Sequence, residues 1–426
     1  MWFFYELLYI IGFLLYLPNA LWRKRLPARG WTMRLGRYPA SIQAGWSGRD
    51  MSRPIWLHAV SVGETLASQP LQRALRHAYP ASPLVVSTIT PSGFSVASKQ
   101  TDHEATIFFP LDLRVCVRRA LTQVRPRIVL LMESELWPMM VRLTHAAHIP
   151  IAVVNGRISA RAFRRYRLMR PWVKPFLRQV DLLLMQSQAD ADRIMALGAS
   201  PSTVRVVGSL KWDASLGTRP TEDTLRATAA RIGLGREDLV IVAGSTHRGE
   251  EEAVLQAFCE LRASGTHLRL ILAPRHLERL SEVEALVRRM GLTSVRLSQP
   301  ATASWGVGLV DAFGHLPTYY GLADVTFIGG SLIPHGGQNP LEPASLGKPV
   351  VFGPFMHNFT EIAHQLVTYQ AAQQLSGPAE LTQVLHELLE DRRLAMAMGR
   401  RAQELVEKSR GTTHRTLEAL APLLTA

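Results

Sequence analysis

Four short stretches of the chain put ionisable side chains just past runs of apolar residues. Glu64 follows 55–60 through Ser-Val-Gly, and Glu133 and Glu135 follow 128–132. Asn155 and Arg157 follow 151–154, and Lys211 and Asp213 come a few residues after 204–207. A carboxylate in such a place can take the proton of an attacking hydroxyl. A lysine or arginine can offset negative charge that builds on a leaving group. Each residue also has a plainer use. Glu64 at a helix start is electrostatically favourable without any chemistry. Glu133 and Glu135 can form a structural ion pair with Arg157, and Lys211 can be ordinary surface. His58, inside an apolar run, reads as a hydrogen-bonded core histidine.

A second set lies in the other half of the chain. Residues 329–354 read GGSLIPHGGQNPLEPASLGKPVVFGP. Here an apolar run ends in glycines and a helix start follows, with Asn339 at the N-cap, Pro340 at the first position and Glu342 at the third. Gly336 and Gly337 lack a Cβ that would keep a ligand from the backbone, and a new helix turns free N–H groups toward an anion. The same pattern serves a capping box with no ligand. Pro274-Arg275-His276 follows the apolar run 268–273, and GSTHRGEEE follows 239–243. No GxxxxGK[ST] run and no GxGxxG after a first strand is present, which disfavours P-loop hydrolysis and ordinary dinucleotide binding. No His/Cys/Asp cluster has metal spacing.

The elements that hold these residues alternate between short apolar runs and amphipathic stretches. That pattern predicts parallel sheets with helices on both faces, whose ligands sit beyond the carboxyl ends of the strands. With 426 residues and 47% apolar composition the chain is long enough for two cores. We expect an N-terminal Rossmann-like domain over 23–212, a linker over 213–238 and a C-terminal Rossmann-like domain over 239–426, its last helix free to pack back on the first domain. Two such domains facing a central cleft are the GT-B architecture. The two cysteines, Cys116 and Cys259, point to a reducing compartment or simple core packing.

Residues 2–21 are nearly continuous apolar sequence, with Glu6 the only charge, and Arg23, Lys24, Arg25, Arg29, Arg34 and Arg37 follow. A secretory signal carries its basic residues first. Residues 1–22 are therefore expected to be a membrane anchor, spanning or monotopic, with the basic collar and the catalytic body on the cytoplasmic side. The net charge of +14 calls for an acidic partner: anionic lipid, a phosphorylated substrate or nucleic acid. The helical run 160–170, ARAFRRYRLMR, is either a solvated face or a grip on acceptor phosphates.

Ten runs in order then carry a resemblance: WLHAVSVGETLA, STITPSGFSVA, LMESELWP, VVNGRIS, GSLKWD, STHRGEEE, LAPRH, YGLADVTFIGGSL, GGQNPLEPA and GKPVVFGP. With them the chain resembles the 3-deoxy-D-manno-octulosonic acid (Kdo) transferases of lipid A biosynthesis, glycosyltransferase family 30. The resemblance implies a GT-B fold and metal-independent, inverting transfer of Kdo from CMP-Kdo, with no cofactor, to the distal glucosamine of a tetraacylated lipid A precursor. It implies an inner-membrane enzyme facing the cytoplasm, in contact with anionic lipids and not with nucleic acid. Carried over by motif, Glu64 is the general base, and Glu133 and Lys211 support the transition state. Pro274 and Arg275, then Phe313, Gly314 and His315, then Asn339, Pro340, Leu341 and Glu342 are CMP ligands, with Glu342 on the ribose hydroxyls. The chain departs from the family in reading FGH where Met-Gly-Glu is usual, and GGQN where GGHN is common. A nucleotide-sugar epimerase of GT-B fold and a membrane-tethered basic nucleic-acid binder are the rival readings.

Overall fold

The structure, a computed structural model, describes residues 5–12, 15, 30–47, 52–133, 136–214, 219–263, 267–300 and 305–425. The chain divides into two compact units, one of residues 1–214 and 411–426, the other of residues 215–410.

In the first unit the strands are β1 (Ile55–His58), β2 (Leu84–Thr88), β3 (Ala105–Phe108), β4 (Ile128–Met132), β5 (Ile151–Gly156), β6 (Leu182–Met185) and β7 (Val204–Val206). They form one parallel sheet in the order β3-β2-β1-β4-β5-β6-β7. β1, β2, β4 and β6 are buried along their whole length, so they read as continuous apolar runs rather than alternating ones. One core lies on each face. Trp56, Val129, Leu131 and Val153 point to one, and Ile55, Leu57, Leu130 and Ala152 to the other. Leu420 and Leu424 of the last helix, Thr412–Thr425, complete the second.

The second unit repeats the plan with β8 (Leu239–Thr246), β9 (Leu268–Pro274), β10 (Ser294–Arg296), β11 (Val307–Leu309), β12 (Val325–Ile328), β13 (Val350–Phe352) and β14 (Ala372–Gln374). The order is β10-β11-β9-β8-β12-β13-β14, again parallel.

Three strands carry no signal that the sequence reading caught: β3, β10 and β14. All three touch a sheet edge. β10 and β14 are three residues long, with Arg296, Gln373 and Gln374 exposed, so no apolar run marks them. The expected boundaries also move. Residues 219–238, expected as linker, belong to the second unit. Their helix, Glu222–Arg231, packs on the helix Leu316–Leu322, and the Ile232 carbonyl accepts the indole N–H of Trp305 at 2.7 Å. The second unit ends at 410 rather than 426, because Asp213 caps the last helix. Its carboxylate accepts the N–H groups of Gly411 and Thr413 at 2.9 and 2.6 Å.

The expected anchor, 1–22, falls largely outside the described residues. Among the described residues no helix is long and apolar enough to cross a membrane. Residues 5–12 are helical and dock on the first unit. The Tyr5 hydroxyl donates to Asp112 at 2.7 Å, and the Arg114 N–H donates to Glu6 at 2.6 Å. Leu7, Leu8, Ile10 and Ile11 remain exposed. Arg34 does not belong to an exposed basic collar. It is buried over the ring of Phe108 and donates to the Ile89 carbonyl.

Candidate functional site

Topology decides where each unit can hold a ligand. In the first sheet the chain runs outward from β1 through β2 and β3, then returns to the other side of β1 as β4. The second sheet makes the same reversal between β8 and β12. In open parallel sheets the crevice at the carboxyl ends of such a strand pair is the binding position. The β1 and β4 exits carry Glu64 and Glu133. The β8 and β12 exits carry His247 to Glu250 and the glycine turn from Gly329.

Glu64 sits in the first turn of the helix Val62–Ala78, capped by Ser61. Its Oε2 accepts the Val60 N–H at 2.9 Å, and its Oε1 accepts the Ser61 hydroxyl at 3.1 Å. The favourable place at a helix start foreseen for this residue is thus real.

Glu133 turns the chain sharply at the end of β4, with φ 53°. Its carboxylate lies 3.2 Å from Arg157 Nε and 3.4 Å from Lys211 Nζ. The ion pair with Arg157 exists, and Lys211 joins it instead of standing as plain surface. Glu135 lies outside the described residues. Lys211 rides on the short helix Leu210–Ala214, which packs on the helix Val62–Ala78. Asn155, fully buried at φ 55°, fixes that helix by accepting the Leu210 N–H on Oδ1 at 2.9 Å. Asn155 tolerates left-handed backbone better than most residues. Its role is hidden in sequence because Leu210 is fifty-five residues away. His58 is the core histidine expected: fully buried, stacked on Phe109 at 3.7 Å, and donating from Nδ1 to the Ser87 carbonyl at 3.2 Å. Burial pushes its pKa down to about 3.

In the second unit the turn after β12 is built around a carboxylate that sequence reading assigned no role. Glu250, fully buried, accepts four backbone N–H groups. Its Oε2 takes Gly330 at 2.6 Å and His247 at 3.0 Å, and its Oε1 takes Ser331 and Leu332, each at 2.9 Å. It therefore ties the β8 exit to the β12 exit. The signal available was a third acidic residue's worth of charge in GEEE, more than one helix start needs.

The glycines serve the protein's own packing. A Cβ on Gly337 would stand 2.2 Å from Met356 Sδ, and one on Gly336 would stand 2.4 Å from Asn358, both at positive φ. Space for a ligand is not what these two positions require, contrary to the sequence reading. The helix also starts later. It spans Leu341–Ser345 with Pro340 at the N-cap, and Asn339 accepts the Leu341 N–H at 3.1 Å while donating to Glu342 at 3.2 Å. Five residues make a weak dipole, so any anion here rests on side chains.

Those side chains converge. Burial pushes the Glu342 carboxyl up, opposed by the Asn339 amide and by the charge of Arg275. Arg275 lies exposed past β9, its N–H held by the Thr246 carbonyl at 2.9 Å, and Pro274 is buried as the last residue of β9. His247 is pressed against His335, ring centroids 4.0 Å apart, and its Nε2 meets the Gln338 amide nitrogen at 3.1 Å. Burial, His335, His276 and two arginines push the His247 pKa down to about 4, so it accepts from Gln338 as a neutral ring. Phe313, Gly314 and His315 form an exposed turn past β11, next to β9 on the same edge, with Phe313 72% exposed. Among the described residues no group of His, Cys, Asp and Glu is arranged to hold a metal ion.

A family model described as 3-deoxy-D-manno-octulosonic-acid transferase matches residues 29–214. A 3-deoxy-D-manno-octulosonic acid transferase of Haemophilus influenzae is 33% identical over 375 residues, 87% of each chain. One from Bordetella pertussis is 32% identical over 94% of each. Among solved structures, a putative UDP-N-acetylglucosamine 2-epimerase from Listeria monocytogenes, 13% identical, matches 87% of this chain and 96% of its own with a TM-score of 0.59. At that identity the likeness bears on the fold alone, two parallel-sheet α/β units with neighbours of GT-B type.

Proposed function

The chain belongs to the 3-deoxy-D-manno-octulosonic acid (Kdo) transferase family and is a glycosyltransferase, and from that premise we propose that it moves Kdo from CMP-Kdo to the distal glucosamine of a tetraacylated lipid A precursor. The transfer is a single displacement without a metal ion and inverts the anomeric centre. It takes place at the cytoplasmic face of the inner membrane, with residues 1–22 as the anchor.

The observation that carries this reading is that the β1 exit, which bears Glu64, neighbours the β4 exit, which bears the Glu133–Lys211–Arg157 cluster. The acceptor hydroxyl oxygen attacks the anomeric carbon of Kdo while the bond from that carbon to the phosphate oxygen breaks. The hydroxyl proton passes to Glu64, and CMP leaves with the bonding electron pair. Lys211, held by Glu133, offsets the charge on the carboxylate sugar and the departing phosphate. On the second unit Arg275 faces the phosphate. Glu342, a carboxylate that would repel a phosphate, accepts from the ribose hydroxyls, with Asn339 orienting it. Pro274, the turn Phe313–His315, and Pro340 and Leu341 line the nucleoside.

The test combines the purified full chain, CMP-Kdo and the lipid A precursor, with products counted by mass. Glu64→Ala should lower turnover by roughly 10²–10⁴ and leave CMP binding within about twofold, since Glu64 touches no donor-side group in this reading. Normal turnover in that variant would remove Glu64 from the role of base.

A further inference from the structure

The stretch that leaves β5 past Arg157 has an unusual surface. It forms two short helices, Ala160–Leu168 and Arg170–Leu177, joined at Met169. From Arg164 to Trp172 every residue is exposed. Four of them are large and apolar: Tyr166, Leu168, Met169 and Trp172, with Leu168 84% and Trp172 55% exposed. Between Arg157 and Val180 there are seven Lys or Arg and no Asp or Glu. Among the described residues Arg161, Arg164, Arg165 and Arg167 make no ion pair, whereas Arg248, Arg269, Arg279 and Arg296 of the second unit are all paired with carboxylates. The platform is firm beneath. Phe176 and Leu177 enter the first-unit core, Phe163 and Val173 pack on it, and Arg170 is tied to the Ala196 carbonyl at 2.9 Å.

A solvated basic face has no use for four bare apolar side chains in nine residues. Arginines around a tryptophan, a leucine and a methionine have the make-up of an interfacial surface: cations for lipid phosphates, apolar tips for the headgroup boundary. We infer that residues 161–172 form a docking surface for an anionic lipid bilayer, separate from the N-terminal helix. Charge complementarity selects the partner. The surface follows the carboxyl end of β5, beside β4, whose exit carries Glu133 bonded to Arg157 at the root of the surface, so a bilayer held there is next to the acceptor-side site. The choice of a bilayer over another polyanion rests on the proposed lipid acceptor.

The test is site-specific because the proposed N-terminal anchor would by itself hold the protein on vesicles. Full-length protein carrying Cys259→Ser and Met169→Cys is labelled with an environment-sensitive fluorophore; the remaining thiol, Cys116, is buried. A matched protein carries Met396→Cys, exposed in the second unit. With phosphatidylglycerol/phosphatidylethanolamine vesicles, the label at 169 should shift to the blue and be quenched roughly twofold or more by brominated lipid, as for an interfacial site a few ångströms deep. The label at 396 should not respond. Arg164→Ser, Arg165→Ser and Arg167→Ser together should abolish the response at 169, since each cation near an anionic surface contributes roughly a fivefold factor in partitioning. An unchanged label at 169 on protein that sediments with vesicles overturns the inference, as does a response to RNA in place of vesicles. Transfer to a short-chain soluble acceptor is measured in parallel. Its loss with the 169 response intact defeats the proposed function, and its persistence without that response defeats the docking surface.

Discussion

Glu250→Gln keeps the shape of the side chain and changes one oxygen into an amide N–H₂. In the native turn each carboxylate oxygen accepts two backbone N–H groups: Gly330 and His247 on one, Ser331 and Leu332 on the other. Whichever way the amide is turned, two buried N–H groups face a donor. At about 1–3 kcal/mol for each unmet buried group, the loss is about 2–6 kcal/mol. Burial pushes the native carboxyl up, so removing the charge returns part of that. A net cost of about 2–4 kcal/mol is expected, set against about 5–15 kcal/mol for a domain. The second unit should stay folded while its turn opens more often. Because the chain has two units, a single denaturation midpoint is a poor readout, and hydrogen exchange by mass is better. The peptide covering Gly330, Ser331 and Leu332 should lose protection by roughly 30- to 1,000-fold, at 1.4 kcal/mol per tenfold. Peptides from β1 and β4 should not change. CMP affinity should fall with it, since Gln338 to Glu342 follow directly from this turn. Protection within threefold of the native protein would refute the reasoning.

Other perturbations test other links. Asn155→Ala leaves the Leu210 N–H unpaired beneath Lys211, which should cost about 1–3 kcal/mol and lower kcat more than CMP affinity in a steady-state assay with direct CMP titration. Gly329→Ala drives a Cβ to 2.3 Å from the Ser245 backbone oxygen, whereas Gly377→Ala meets nothing within 4 Å; hydrogen exchange of the core peptides of the second unit should show a loss of about 2 kcal/mol or more for the first and under about 1 for the second. His58, held near pKa 3 against 6.5 when unfolded, takes up a proton on unfolding between these values. Its stability contribution is therefore complete above pH 6.5 and lost as pH falls, by about 2 kcal/mol at pH 5. The fall in stability of the first unit between pH 7 and 5 should be shallower in His58→Gln.

Much of the fold can be read from the chain because fully buried parallel strands are short apolar runs. β4, β6 and β13 begin and end at the residues where those runs do. The edge strands β10 and β14 cannot be read so, since one side of each meets solvent and polar residues fit. The divide near 214 and the return of Thr412–Thr425 to the first unit depend on Asp213 reaching Gly411 and Thr413, a contact across two hundred residues that no local pattern marks.

The candidate site divides along the same line. Residue types at strand exits are a local property, so Glu64, Glu133, Lys211, Arg275 and Glu342 stand out in sequence. What each is bonded to is not local. The sequence alone made Glu133 and Arg157 a possible pair; only the fold adds Lys211 to it and sets Asn155 beneath. The sequence marked Gly336 and Gly337 as special, but the reason is Met356 and Asn358 folded against them. Glu250 lay among three acidic residues with nothing to separate it from its neighbours. It becomes distinct when β12, seventy-five residues later, brings three backbone N–H groups to its carboxylate. A chain can encode which groups are present and at which strand ends they stand, but the partners of a buried polar group are chosen by the packing that removes water from around it.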